Sequence, residues 1–237
     1  MVASASSVHL SLDSLGLQRN GRWLFRGLTW EAPRGRVIAV VGPSGAGKSS
    51  LLACLSGQLA PTEGAVRCPL VGGAVPPAAG RTRFGVVFQH FALSPNCTLL
   101  TNVLCGSLGR HSWWRTLAGF PRADKLRAWA LLCDLGLGPL AHRCAGEVSG
   151  GEQQRTALLR ALFQEPEFIL ADEPVSQLDT YLTGRVLGLL RQEAREKQRT
   201  VFCVLHDPKL VERFADHVLS LDPQNPGGWK VRHLHHD

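Results

Sequence analysis

One short stretch constrains the fold of this chain more than any other: residues 37–52, which have the sequence VIAVVGPSGAGKSSLL. Its first five residues are mostly β-branched, as in a strand that is buried on both faces. Residues 42–49 then have the spacing G-x-x-x-x-G-K-S, and Leu51, Leu52 and Leu55 follow at helical spacing. This order of strand, glycine-rich turn and helix start is typical of a P-loop, which holds phosphate groups.

The residue types in this loop match the chemistry of phosphate binding. Glycines allow positive φ angles and close backbone approach, so that successive amide N–H groups can converge on phosphate oxygens. Lys48 adds a full charge, which at about 3 Å and an effective dielectric constant of about 20 attracts one phosphate charge by roughly 5 kcal/mol before desolvation. The Ser49 hydroxyl suits Mg²⁺. We therefore interpret these residues as nucleotide-binding: Gly42, Pro43, Ser44, Gly45, Ala46, Gly47, Lys48, Ser49 and Ser50.

Length, charge and cysteine content narrow the class of protein. The chain has 237 residues and a formal net charge of +7, which fits an anionic neighbour such as a nucleotide, an acidic membrane surface or a nucleic acid. Its seven cysteines are scattered and form no C-x-x-C pair, which favours a reducing compartment. The start lacks a signal-peptide pattern and no stretch is apolar enough for a membrane span, so we expect any membrane role to be peripheral.

Apolar patterns along the chain predict strands on both sides of the loop and a helical region between them. Alternation before residue 37 predicts two antiparallel strands that turn at Asn20-Gly21 and pack beside the loop strand. Helical spacing dominates residues 93–147, where Gly136 ends a helix. The remaining predicted strands are 65–71, 84–88, 168–171 and 200–205, and the remaining predicted helices are 151–164, 180–198 and 208–214.

The alternation of strands and helices in the last third of the chain implies a parallel sheet. We therefore predict a single domain over residues 1–237. Its fold class is α/β: a P-loop NTPase core sheet with an antiparallel β edge and an inserted helical subdomain at approximately 93–150.

Two carboxylates follow a buried strand at residues 168–173, which have the sequence FILADE. The end of such a strand lies at the sheet edge where α/β folds bind ligands. Asp172 is suited to organise a magnesium ion, and Glu173 is placed to accept a proton from water that attacks a phosphate. An acidic turn facing solvent is the alternative, but the P-loop in the same chain favours the catalytic interpretation.

A second phosphate-binding device is predicted at residues 148–155, which have the sequence VSGGEQQR. Ser149 caps a helix, and Gly150 and Gly151 leave its first amides accessible, although an ordinary helix cap is the alternative. Two such devices far apart in one chain are explained if two copies meet head to tail across a twofold axis. Each nucleotide would then lie between two protomers.

These motifs, in this order, resemble those of the nucleotide-binding subunits of ATP-binding cassette (ABC) transporters. The likeness runs from about residue 8 to residue 221 and implies ATP and Mg²⁺ as ligands. Gln89 matches the glutamine that contacts magnesium and senses the permease. The resemblance implies that the catalytic residues are Glu173, His206 and Gln89. Ser49, Gln89 and Asp172 would hold the metal. The resemblance also implies that Ser149, Gly150, Gly151 and Asp179 serve the nucleotide at the dimer seam.

Within the family, residues 102–137 resemble the corresponding segment of phosphonate importer subunits, in particular around Trp114, Arg115, Thr116 and Leu117. This likeness implies a subunit on the cytoplasmic face of the membrane that hydrolyses ATP to drive import of a phosphonate or related compound. The implied partners are transmembrane permease subunits, a second copy or a paralogous cassette, and a solute-binding protein. We expect the side chains of Phe91, Leu93 and residues 99–103 to form an apolar groove for the permease.

Some features leave alternatives open. Arg19 stands where many relatives carry an aromatic residue that stacks on adenine, so we expect its guanidinium plane to stack on bases with little selectivity. The histidines at 233, 235 and 236 could bind metal, but a disordered terminus is favoured. An exporter or lipoprotein-releasing cassette would share every motif. A soluble ABC ATPase that acts on nucleic acid is disfavoured, because the chain has one cassette and no long coiled-coil insertion.

Overall fold

The computed structural model describes residues 8–68, 73–74, 83–87, 91–110 and 119–234. Within it the chain forms two compact units, unit 1 (Met1–Arg81 and Leu190–Asp237) and unit 2 (Thr82–Leu189). The sequence predictions for Gln89, for the tryptophan-rich segment at 113–117 and for His235 and His236 fall outside the described residues. The single-domain assignment stays a prediction.

The strands are β1 (Val8–Arg19), β2 (Arg22–Pro33), β3 (Val37–Val41), β4 (Glu63–Cys68), β5 (Gly73–Ala74), β6 (Phe84–Val87), β7 (Phe168–Ala171), β8 (Thr200–Val204), β9 (His217–Ser220) and β10 (Lys230–His233). The α-helices are α1 (Lys48–Leu55), α2 (Leu99–Leu104), α3 (Arg122–Asp134), α4 (Gly150–Phe163), α5 (Thr180–Lys197) and α6 (Pro208–Phe214). Short 3₁₀ helices cover Cys105–Arg110, Gly138–Leu140 and Ala145–Glu147.

Unit 1 contains an antiparallel sheet with the strand order β2-β1-β4-β5. Asn20 and Gly21 form the turn between β1 and β2, and both have positive φ angles, 50° and 75°, as a tight hairpin turn requires. The antiparallel edge and this turn are therefore confirmed. The two strands belong to a separate sheet from β3, so their place beside the loop strand is a packing of two sheets and not a pairing of strands.

The P-loop strand β3 lies in unit 1 between two parallel neighbours, β8 on one side and β9 on the other. Strand β10 extends this sheet antiparallel to β9. All five side chains of β8 and the first four of β3 are buried, which explains why both segments are continuous apolar runs rather than alternating ones.

Unit 2 combines the parallel pair β6 and β7 with helices α2, α3 and α4. Helix α3 buries Ala128, Leu132 and the following Leu135, and Gly136 ends it with a φ of 72°, as its sequence predicts. Helix α4 begins at Gly150 and ends at Phe163, one residue earlier at each end than the sequence pattern indicates. The helical character predicted for residues 93–147 is confirmed over the described part of that segment, with 3₁₀ helices interspersed.

The C-terminal strand changes the interpretation of one histidine. His233 is the last residue of β10 and pairs with His217 of β9, and their ring centroids lie 4.1 Å apart in an edge-to-face arrangement. The disordered terminus that the sequence favours was therefore wrong for His233.

Asp216 ties the start of β3 to β9 in unit 1. Its Oδ2 atom accepts a hydrogen bond from the backbone N–H of Val37 at 2.8 Å, and the Val37 carbonyl accepts from the Asp216 N–H at 2.8 Å. The carboxylate is nearly fully buried, and Arg36 and Arg195 lie within 3.8 and 3.5 Å of its Oδ1 atom. This carboxylate therefore satisfies a buried donor at the root of the P-loop strand.

We predict that Asp216→Ala lowers the free energy of unfolding by about 1–3 kcal/mol, because the buried Val37 N–H would lose its acceptor. Urea titration followed by circular dichroism measures the change. The matched control is Asp13→Ala, which removes an exposed ion pair with Arg67 and should change stability by less than about 0.5 kcal/mol. Equal losses of unfolding free energy in the two variants would show that the buried contact of Asp216 stabilises the protein no more than an exposed ion pair does.

Candidate functional site

The P-loop of unit 1 has no room for side chains at two of its glycines. Gly42 has a φ of 150°, and a Cβ atom there would lie 2.6 Å from the carbonyl oxygen of Leu221. Gly47 has a φ of 88°, and a Cβ atom there would lie 2.9 Å from the Cβ of Leu24. Glycine at both positions is thus required by backbone conformation and by contact, and the loop can bring its amides close to a ligand.

Lys48 is held against this loop by its own carbonyls. Its Nζ atom donates to the carbonyl oxygens of Gly42 and Pro43 at 2.8 and 2.9 Å, and the side chain is only 7% exposed. Lys48 is also the first residue of α1, so the residue that carries the ammonium group lies at the helix end that presents the first amides. An ammonium has three donors, so that the group can bind phosphate while it remains fixed to the loop. Ser49 follows at an exposed position in the first turn.

Parallel register places His206 at the same sheet edge as the P-loop. Val40 of β3 lies opposite Val204 of β8, so that Gly42 and His206 each come two residues past the same point of the pair. His206 is exposed, and the next residue, Asp207, caps α6 by accepting the Lys209 N–H at 2.9 Å. The structure thus brings together the two predicted elements of unit 1.

Arg19 ends β1 immediately before the hairpin turn and is exposed. It lies close enough to α1 to affect Cys54: burial raises the pKa of that thiol to about 12, and the charge of Arg19 acts in the opposite direction. Trp23, the nearest aromatic residue in β2, carries the guanidinium of Arg26 over its ring, 4.6 Å from the centroid. One face of this indole is therefore already covered by a cation.

The predicted acidic pair follows β7 in unit 2. The N–H of Asp172 donates to the Val87 carbonyl at 3.1 Å, which continues the ladder between β6 and β7 by one residue. The chain then turns at Glu173, whose φ of 52° lies in the left-handed region that non-glycine residues rarely adopt. Both carboxylates are half-buried. The acidic strand end that the sequence predicts is confirmed, and the left-handed turn is new.

The glycine-rich start of α4 has the expected cap. The Ser149 hydroxyl accepts the Glu152 N–H at 3.4 Å, and the Glu152 carboxylate accepts the Ser149 N–H at 2.7 Å, which completes a capping box. Burial alone would raise the pKa of Glu152, but the two Ser149 bonds and the charges of Arg155 and Arg143 lower it overall. The first turn of α4 is thus rigidly set.

The same helix start contacts the loop that follows Glu173. A Cβ atom at Gly151 would lie 3.0 Å from the carbonyl oxygen of Gln177. Asp179, at the end of this loop, accepts the Leu182 N–H at 2.8 Å and so caps the first turn of α5. The structure therefore brings Gly150, Gly151 and the loop before Asp179 together within unit 2.

Sequence reasoning missed two side chains of α4. Gln154 is only 2% exposed and bonds to the turn at Glu173. Arg160 donates to the carbonyls of Ala92 and Phe91 at 2.5 and 2.9 Å, and both of these residues have positive φ angles. Polar residues in a helix usually indicate a solvent-facing side, so no sequence signal distinguishes these two from the other polar residues of the helix.

The apolar groove expected at residues 99–103 was wrong at three positions, of which Asn102 is 2% exposed. Leu99 and Val103 are both 0% exposed and belong to the core of unit 2. Leu108, in the 3₁₀ helix that follows, is 46% exposed and is the large apolar side chain of this segment that reaches the surface. Among the described residues, no helix is long and apolar enough to cross a membrane, and no cluster of three or more metal-ligating side chains occurs.

Comparison with known proteins gives a consistent result. A family model described as ABC transporter matches residues 25–176. The chain is 38% identical over 208 residues to the phosphonates import ATP-binding protein PhnC of Nitratidesulfovibrio vulgaris, covering 85% of this chain and 78% of that protein. It is 42% identical over 190 residues to the phosphite import ATP-binding protein PxtA of Stutzerimonas stutzeri, covering 79% and 69%.

A solved structure shares the fold over nearly the whole length. It is the dimeric post-hydrolysis state of the ATP-binding cassette MJ0796 bound to ADP and Pi. The match has a TM-score of 0.84 and 26% sequence identity, and covers 96% of this chain and 100% of the other.

We predict that Lys48→Ala weakens ATP binding by roughly 10- to 100-fold, because hydrogen bonds to a charged group contribute about 1.5–3 kcal/mol each. Isothermal titration with ATP measures the affinity. Lys125→Ala, which removes the same charge from an exposed position of α3, serves as the control and should bind as the unaltered protein does. Unchanged affinity in a folded Lys48→Ala protein would show that this loop is not the principal nucleotide site.

Proposed function

Because this chain belongs to the ABC transporter family and is an ATP-hydrolysing cassette, we propose that it supplies the energy for import of a phosphonate or a related reduced phosphorus compound. The observation that carries the site assignment is the common register of the P-loop and His206 at the carboxyl edge of β3 and β8. The cargo assignment is supported by the relatives named for phosphonate and phosphite import.

The residues present fit a nucleotide with magnesium. The loop has two glycines, Gly42 and Gly47, at which a side chain would collide with Leu221 or Leu24, and Lys48 adds a buried ammonium group. Ser49, Asp172 and Gln89 are the groups proposed to hold Mg²⁺, whose contribution when bound is to neutralise charge on the phosphates. The backbone N–H groups of residues 44–50 and of Gly42 would orient the phosphate chain, and Arg19 would stack on the base.

Hydrolysis is assigned to three side chains. The carboxylate of Glu173 accepts a proton from the attacking water, since it follows a buried strand at the ligand-binding edge of the sheet. His206, which follows β8 in unit 1, would hold the γ-phosphate and that water, and Gln89 would sense the metal and the permease. Each of these roles places a polar group where the reaction develops charge or releases a proton.

The second half of the site is proposed to act on a partner's nucleotide. Ser149, Gly150 and Gly151 present the first amides of α4, where an anion is favoured by the helix dipole. Asp179, in the adjoining loop, would organise the seam between protomers. The dimeric state named for the cassette MJ0796 supports this arrangement, with a second copy or a paralogous cassette as the partner.

The membrane partners follow from the same assignment. The cassette would bind to transmembrane permease subunits from the cytoplasmic face, and a solute-binding protein would deliver the cargo. Since Leu99 is buried, the contact with the permease is assigned to Phe91, Leu93 and the exposed Leu108. Nucleic acid is not an expected partner.

We predict that Glu173→Gln slows ATP hydrolysis by about 10²–10⁴-fold while ATP affinity stays unchanged, because the amide keeps the shape of the side chain but cannot take a proton. Steady-state phosphate release and titration calorimetry measure the two quantities. With saturating MgATP the variant should also form a dimer that light scattering detects. Normal turnover would remove the base assignment, and a persistent monomer would remove the two-protomer site. Glu196→Gln, an exposed carboxylate of α5, is the control and should keep normal turnover.

We predict that deletion of the gene in its host abolishes growth on methylphosphonate or on phosphite as sole phosphorus source, and leaves growth on phosphate unchanged. Comparing growth on methylphosphonate with growth on phosphite separates the two cargo classes.

A Leu108→Asp variant should fail to restore growth although its isolated ATPase is normal, because a charge would be placed in an apolar contact. Leu126→Asp, at another exposed leucine of unit 2, should restore it. Normal growth of the deletion strain on both compounds, with no second cassette present, would overturn the cargo assignment.

A further inference from the structure

Gln154 has a polar side chain in the interior of unit 2, and its amide group both donates and accepts hydrogen bonds. It lies on α4 just beyond the capping box and is 2% exposed. Its Nε2 atom donates to the carbonyl oxygen of Glu173 at 2.8 Å and to the hydroxyl of Ser176 at 3.2 Å. Its Oε1 atom accepts the N–H of Gln177 at 3.4 Å. One side chain therefore contacts three residues of the turn that begins at Glu173.

The backbone at Glu173 needs such support. Its φ of 52° lies in the left-handed region, which is unfavourable for a residue with a Cβ atom and persists only where surrounding contacts fix it. Its carbonyl oxygen accepts from Gln154 Nε2, from the Ser176 hydroxyl at 3.2 Å and from the Ser176 N–H at 3.3 Å. Two of these donors are local to the turn. Gln154 is the one that comes from a separate element.

We propose that Gln154 is a positioning residue for the carboxylate of Glu173. The direction in which a side chain leaves the backbone is set by φ and ψ, so the contact that holds the Glu173 peptide also aims its carboxylate. The inference rests on the proposed role of Glu173 as the base. It adds to the proposed site a residue of α4 that acts through Glu173 without touching the nucleotide.

A connection between two half-sites follows from this placement. Helix α4 carries Ser149, Gly150 and Gly151 in its first turn and Gln154 directly behind them. The group proposed to meet the partner's nucleotide and the group that fixes this protomer's own base therefore lie within the first two turns of one helix. Movement of that helix changes the support of the Glu173 peptide, and with it the geometry of proton transfer, which tolerates displacements of well under about 1 Å.

An ordinary buried glutamine would satisfy nearby backbone groups and contribute only to stability. The two roles differ in what they change: a stability role lowers the free energy of unfolding and leaves kcat intact, whereas a positioning role lowers kcat and leaves nucleotide affinity intact. The measurement must therefore separate kcat, KM and unfolding in the same variants.

The test uses Gln154→Met, which keeps an unbranched side chain of similar length but removes both hydrogen-bonding atoms. We expect kcat for ATP hydrolysis to fall about tenfold, as the loss of about one net hydrogen bond in the transition state implies, with KM within about twofold of its original value. The matched control is Gln164→Met at the C-cap of the same helix, which removes a bond from Nε2 to the Phe84 carbonyl at 3.2 Å. That variant should keep kcat within about twofold while losing comparable stability.

A double-mutant cycle with Glu173→Gln then separates the proposed base role of Glu173 from the proposed positioning role of Gln154. If Gln154 acts through the carboxylate, Gln154→Met added to Glu173→Gln should slow single-turnover hydrolysis no further. A full tenfold loss on that background would overturn the positioning role. Unchanged kcat in Gln154→Met, while Glu173→Gln is inactive, would overturn it and leave the base assignment intact. Normal turnover in Glu173→Gln would overturn both.

Should Gln154→Met fail to fold, Ser176→Ala provides the second variant. Ser176 is exposed, and its hydroxyl donates to the same Glu173 carbonyl. Removing it should lower kcat about two- to fivefold without a change in KM, and this loss should also vanish on the Glu173→Gln background. An equal loss on both backgrounds would contradict the proposal.

Discussion

Parallel strand pairing is the constraint on which the functional geometry depends. Val40 opposite Val204 sets the P-loop and His206 to the same edge in unit 1. Val87 opposite Ala171 sets the end of β6 and the acidic pair after β7 to a common edge in unit 2. A shift of one residue in either pair would move every side chain to the opposite face of the sheet, so the packing on the two faces also fixes where each loop begins. Burial of the strands thus determines where the segments that carry the proposed site residues begin.

Helix α4 supports the unusual backbone of unit 2 at two places. Glu173, Phe91 and Ala92 are non-glycine residues with positive φ angles. The carbonyl of the first is bonded by Gln154, and the carbonyls of the other two by Arg160. Burial lowers the pKa of Arg160, yet a guanidinium stays charged, so its bonds to these carbonyls are of the stronger, charge-assisted kind. One helix therefore maintains both the turn that carries the proposed base and the loop that follows Gln89.

The sequence predicted the elements of this fold well because their signals are local. Continuous apolar runs gave β3, β7 and β8, and the hairpin turn at Asn20 and Gly21 followed from residues that tolerate positive φ. The ABC family assignment and its ATPase activity were likewise available from motif order. Errors occurred where the partner of a residue is distant in the chain. Leu99 was expected to be exposed and to contact the permease, but it is buried in unit 2. His233 was expected to lie in a disordered terminus, but it pairs with His217.

The polar residues that the sequence could not identify share one physical property: each donates to backbone carbonyls of residues with positive φ angles, which regular structure leaves unpaired. A left-handed residue costs about 1–3 kcal/mol, and a typical hydrogen bond returns about 0.5–1.5 kcal/mol. Several donors are therefore needed to keep such a turn, which agrees with the three on the Glu173 carbonyl. Since two of these donors lie in the turn itself, the conformation can form locally, and the distant donor is what makes it depend on α4. The turn at Glu173, the proposed base, is almost self-sufficient and is completed by one contact from a helix whose start is proposed to meet a partner's nucleotide. This balance is what a switchable site requires.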